Sequence, residues 1–96
     1  MLTGKQRSYL KSLANTLDPV VQIGKNGLTD SVIESINDVL ETRELVKITV
    51  LDNSPEGVKE ITSEILDRTG AEFVQSLGSK LVIYKESENN KKIELV

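Results

Sequence analysis

Three stretches of this chain repeat their apolar residues at helical spacing, and short β-branched runs separate them; that alternation leaves few folds open. Residues 3–17 put Tyr9, Leu10, Leu13, Ala14 and Leu17 on one side of a helix, with Thr3 as its N-cap. Asp18-Pro19 ends it, because the residue before a proline is pushed away from helical angles. Residues 20–23 (VVQI) then read as a short strand. Residues 29–43 carry a second apolar stripe, Val32, Ile33, Ile36, Val39 and Leu40; Thr29 or Ser31 caps this helix, and Ser31 with Glu34 fits a capping box. Residues 45–51 alternate as a strand, with Val46, Ile48 and Val50 on one face and Lys47 and Thr49 on the other. Ser54-Pro55-Glu56 predicts the start of a third helix, Val58, Ile61, Ile65 and Leu66 its stripe, and Gly70 its stop. Residues 72–77 and 80–85 are two more strands joined by a tight Gly78-Ser79 turn. The order α-β-α-β-α-β-β predicts a single α/β domain, a layered sandwich around one four-stranded mixed sheet. That domain covers residues 1–85. Residues 86–96 form a polar tail whose apolar end (Ile93, Leu95, Val96) either adds a short edge strand or frays.

The first strand runs directly into Gly24-Lys25-Asn26-Gly27. Two glycines permit positive φ and leave no Cβ in the way of an approaching chain. Successive backbone N–H groups can then form a concave anion site, to which Lys25 adds a charge and Asn26 an amide. Gly-x-x-Gly loops of this kind clamp a sugar-phosphate backbone. Asn-Gly is also a hairpin signal, but the residues after Gly27 have helical periodicity rather than alternation. The motif alone does not separate a binding loop from a structural strand-to-helix turn. Asp30, in the first turn of the helix, competes with an anion for the positive end of the dipole, which places a phosphate against the loop amides and Lys25.

Charge is unevenly spread. Residues 1–29 hold four basic residues against Asp18 alone, whereas residues 30–96 hold eight basic and fourteen acidic residues. The positive charge thus travels with the loop, although the net charge is −3. Arg7 and Lys11, four apart on the first helix, extend a basic strip toward Lys25 in this reading, and Lys47 is a further candidate contact. Each has an ordinary alternative as a solvated surface charge. With only Tyr9, Phe73 and Tyr84 as aromatics, a base-stacking platform is excluded and Tyr9 and Phe73 are assigned to core packing.

Histidine and cysteine are both absent, which removes His-based triads, thiolates and common zinc sites. The loop also lacks the Lys-Ser/Thr of a nucleotide-binding P-loop. No enzyme, metal or cofactor is expected. No apolar run approaches the ~20 residues of a membrane helix, and residues 1–10 have no continuous apolar core of a secretory signal, so a cytoplasmic monomer is expected.

A set of residues spread over nearly the whole chain now becomes specific. Leu2-Thr3, Gln6-Arg7, Leu10, Leu13 and Ala14 lead to residues 21–29 (VQIGKNGLT), then Glu44-Leu45-Val46-Lys47, Thr69-Gly70-Ala71, Gly78 and Tyr84. This ordered set resembles the CRM domain (chloroplast RNA splicing and ribosome maturation) in its stand-alone bacterial, YhbY-type form. The resemblance implies a fold similar to the C-terminal domain of translation initiation factor three. It implies RNA binding through the Gly-x-x-Gly loop, and association with ribosomal RNA in precursors of the large subunit. Two departures stand out: many relatives carry Arg where this chain has Lys85, and many are basic overall. Lysine keeps the charge but lacks the planar fork that grips phosphate with two bonds. A protein-interaction module without RNA is the alternative that the acidic surface supports.

Overall fold

The computed structural model describes residues 2–95. Its elements are α1 (Gly4–Ala14), β1 (Val21–Ile23), α2 (Asp30–Arg43), β2 (Leu45–Val50), α3 (Val58–Thr69), β3 (Glu72–Leu77) and β4 (Lys80–Tyr84). The expected α-β-α-β-α-β-β order and four-stranded mixed sheet are both present, with strand order β1-β2-β4-β3. β1 pairs parallel to β2, so the two need a crossover, and α2 supplies it. β4 runs antiparallel to both β2 and β3. No helix among the described residues is long and apolar enough to cross a membrane.

The alternation of each strand sorts its side chains between two cores. Val21, Ile23, Val46, Ile48, Val50, Leu81 and Ile83 face α2 and α3 and meet Ile33, Ile36, Leu40, Ile61 and Ile65. On the opposite face Leu45, Val82, Tyr84 and Val74 meet Leu10 and Ala14 of α1. A bulge between Phe73 and Gln75 lets β3 turn Val74 into this second cluster.

Several features differ from the sequence expectation. Thr3 caps α1 in a full capping box with Gln6, but the helix stops at Ala14, three residues short of the expected end. The Lys47 ammonium takes up the carbonyls of Ala14 and Leu17 at 3.2 and 3.1 Å, so helical pairing is not needed there. Thr29, not Ser31, caps α2, accepting from Val32 N–H at 3.2 Å. Ser54-Pro55-Glu56 does not open α3, which begins at Val58 after Gly57. Those residues instead form a turn, closed by Ser54 N–H to Leu51 O at 3.0 Å and Ser54 Oγ to Glu56 O at 2.8 Å. Phe73, expected in the core, is 38% exposed.

The tail adds no edge strand among the described residues. It folds back instead onto Glu44, a fully buried carboxylate at the C-terminal cap of α2 with φ +66°. Glu44 Oε2 accepts from Ser87 N–H at 2.7 Å, and Oε1 from Lys92 and Ile93 N–H at 2.6 and 2.8 Å. Glu41 adds a second anchor by accepting from Ser87 Oγ at 2.7 Å and Asn89 N–H at 3.1 Å. Ile93 and Leu95 thereby pack against the α1 cluster; Val96 lies outside the described residues.

Candidate functional site

The loop at residues 24–27 leaves the sheet at the C-terminal end of β1 and is pinned at both ends. Ile23 is fully buried and its carbonyl accepts from Leu51 N–H at 2.8 Å. Leu28, just beyond the loop, packs against the α2–α3 core. Between them Gly27 N–H closes a turn onto Gly24 O at 2.9 Å. Only Gly27 takes positive φ, at +68°. A Cβ at Gly24 would meet Asn53 Oδ1 and Leu51 Cδ1 at ordinary contact distances of 3.5 and 3.6 Å, so the expectation of two glycines with positive φ holds at one of them.

The expected run of outward N–H groups is correspondingly shorter, because the Gly27 donor is spent on the turn. Lys25 and Asn26 occupy the exposed tip, and neither makes a hydrogen bond or ion pair among the described residues. The tip therefore offers two backbone donors, one ammonium and one carboxamide on a base that is buried. Asp30 is not a bare charge at the start of α2: Arg68 of α3 meets it at 2.5 Å and also reaches Glu64 at 3.3 Å. The Asp30 side chain stays 94% exposed, so water still screens this pair.

The other basic candidates do not gather around the loop. Arg7 Nε lies 3.4 Å from Phe73 O on β3, the far edge of the sheet from β1. Three strand spacings, roughly 14 Å, separate those edges, so no strip joins Arg7 to Lys25. Lys11 is exposed on the same helix, which packs on β2, β3 and β4. Lys47 is neither an exposed sheet-face lysine nor a free cation, since it holds the end of α1 through two carbonyls. Lys85 donates to Thr69 O, the carbonyl of the last residue of α3, at 2.8 Å.

Lys80 is a cation that the sequence reading passes over. The Gly78-Ser79 turn brings it to the loop end of the sheet, where Ser79 O accepts from Val50 N–H at 2.8 Å, next to Leu51, which bonds Ile23. The turn signal was legible; the adjacency follows only from β1 lying parallel to β2. Among the described residues no group of three or more His, Cys, Asp or Glu side chains could hold a metal ion.

Comparison with known proteins agrees with this architecture. A family model described as the CRS1 / YhbY (CRM) domain matches residues 2–85. The chain is 43% identical over 95 residues to the probable RNA-binding protein YqeI of Bacillus subtilis, covering 99% of each. It is 41% identical over 90 residues to an RNA-binding protein of Haemophilus influenzae, covering 94% of this chain and 91% of the other. The solution structure of SAV1595 from Staphylococcus aureus superimposes with a TM-score of 0.82 at 50% identity, over the whole of both chains. The family is a binding domain and not a class of enzyme. With its loop, its mixed sheet and its match to bacterial relatives along nearly their whole length, the chain belongs to the CRS1 / YhbY (CRM) domain family.

Proposed function

We propose that this protein binds RNA by its sugar-phosphate backbone through Gly24-Lys25-Asn26-Gly27 and acts as an assembly factor on precursors of the large ribosomal subunit. The observation that carries the reading is the loop tip: an unpartnered lysine and asparagine held outward by a turn whose base is buried. Phosphate binding needs donors already oriented and not consumed internally, and this tip meets that condition. Relatives named as RNA-binding proteins support the nature of the ligand. The protein works as a cytoplasmic monomer in this proposal. Backbone contact supplies affinity, with weak sequence preference at the loop itself.

The test is a double variant, Lys25→Asp with Asn26→Asp, assayed for binding to ribosomal precursor RNA and for sedimentation on a sucrose gradient at low salt. The expected result is loss of RNA binding with an unchanged circular dichroism spectrum, and wild-type protein migrating with immature large subunits. Normal RNA binding by the variant overturns the loop assignment. Wild-type protein confined to the ribosome-free fractions overturns the assembly role and favours a protein-interaction module.

A further inference from the structure

One face of the sheet is only partly covered. Register places Gln22 beside Thr49, Thr49 beside Lys80, and Lys80 beside Leu77, a row crossing all four strands. Their neighbours Val21, Ile48 and Leu81 point into the α2–α3 core, so this row faces the α1 side. α1 ends at Ala14 and does not reach over it. Gln22 and Lys80 are consequently exposed and Thr49 half-buried, while Leu77 is 72% exposed, the most open large apolar side chain among the described residues.

The row lies one residue below the loop, since Gln22 precedes Ile23 and Gly24. Beside it a cleft of about 70 Å³ is lined by Asn15, Lys47, Gln75, Leu77 and Lys80, with Ala14 and Val82 at its floor. Its chemistry differs from that of the rest of the chain. Fifteen acidic residues give the protein its net charge of −3, yet neither the row nor the cleft contains one. Together they combine two lysines, Lys47 and Lys80, with the amides of Gln22, Asn15 and Gln75, the Thr49 hydroxyl and an apolar surface. The Lys80 ammonium has no partner among the described residues.

We infer that this open strip, Gln22, Thr49, Lys80 and Leu77 with Gln75 and Asn15 of the cleft, is a second contact surface for a single-stranded RNA segment whose backbone is held at the loop. The inference rests on the loop reading above for the direction in which the strand leaves. Lys80 neutralises a phosphate roughly two strand spacings, about 10 Å, from β1. Gln22, Thr49 and Gln75 offer donors and acceptors to the edges of splayed bases, and Leu77 offers an apolar face against which a base can lie. Sequence preference, which the loop lacks, originates here.

The experiment compares wild type, Lys80→Ala, the pair Gln22→Ala with Thr49→Ala, Leu77→Ser, and the Lys25→Asp/Asn26→Asp loop variant, using fluorescence anisotropy with single-stranded oligo-U and oligo-A and with an RNA duplex. All substituted side chains except Thr49 are exposed, and thermal melts verify folding. Lys80→Ala is expected to weaken single-strand binding severalfold and to lower the salt slope by about 0.7, one phosphate on a single strand. Gln22→Ala with Thr49→Ala is expected to shrink the difference between oligo-U and oligo-A, and Leu77→Ser to weaken single strands more than the duplex. If only the loop variant loses binding, the strip is refuted and the loop reading stands. Strip variants that lose binding while the loop variant does not support the strip and refute the loop. Equal effects of the strip variants on duplex and single strand overturn the single-strand assignment.

Discussion

Gly27 lies against the ring of Pro55, so closely that a Cβ at this glycine would stand 3.2 Å from Pro55 Cγ. The contact ties the candidate RNA loop to the loop between β2 and α3, and it explains why Pro55 serves packing instead of opening a helix. Gly27 also needs its left-handed φ of +68°. Gly27→Ala is therefore expected to destabilise by about 1–2 kcal/mol from the backbone conformation alone. Gly24→Ala meets neither obstacle and is expected to change stability by less than about 0.5 kcal/mol. Urea denaturation of the two variants side by side checks the asymmetry, and equal losses would contradict it.

The Glu44 carboxylate predicts an acid-sensitive tail. Burial pushes its pKa up, but hydrogen bonds from Lys92, Ser87 and Ile93 N–H outweigh burial and hold it below the usual carboxylate value. A folded pKa below the unfolded one gives stability that is fully present above the unfolded value, about 4.3, and lost as pH falls through the folded value. Glu41, lowered chiefly by the Ser87 hydroxyl, acts in the same direction. Glu44→Gln replaces one acceptor oxygen by a donor facing backbone N–H groups, at a cost of about 2 kcal/mol or more at neutral pH. The gap between wild type and variant should narrow as the denaturation series moves from pH 6 to pH 3.

Lys47 predicts a stability effect without a binding effect. Lys47→Met keeps the apolar stem but leaves the Ala14 and Leu17 carbonyls without their ammonium donor. The expected loss is about 1–3 kcal/mol, with faster hydrogen exchange in the last turn of α1. RNA affinity of the folded variant should fall less than that of Lys25→Ala. A loss as large as that of Lys25→Ala would return Lys47 to the binding surface.

Arg7 and Lys25 should separate in their salt dependence. Lys25 stands free at the loop tip, whereas Arg7 is drawn to Phe73 O at the opposite edge of the sheet. Lys25→Ala is expected to lower the slope of log affinity against log salt by about 0.7 on single strands, and Arg7→Ala to leave it unchanged. Titrations at several salt concentrations decide the matter.

The sequence made the elements legible because each had its own local signal: the stripes of α2 and α3, the alternation in residues 45–50, Gly70 as a left-handed stop at φ +73°. Several misreadings involve partners distant along the chain. Thr3 announces where α1 starts, but its end depends on Lys47, more than thirty residues away. Ser54-Pro55 looks like a helix start until Gly27 is placed against it. Glu44 reads as the first residue of a strand motif, and nothing local shows that it will be buried and clamp residues 87–93. The candidate loop was readable as a motif; that its lysine neighbours lie elsewhere, and that Lys80 lies near, required the strand order.

The Glu44 clamp also orders events during folding. Residues 21–84 contain every strand together with α2 and α3, so the larger core needs nothing from the tail. The α1 layer is different: it joins the first fourteen residues to Ile93 and Leu95. Until the tail docks, α1 has a sheet to rest on but no strap to hold it, and the Glu44 carboxylate lacks its three N–H donors. Docking of residues 87–95 is then the step that seals that face, and a chain cut after residue 85 would keep its folded sheet with its first helix unlatched.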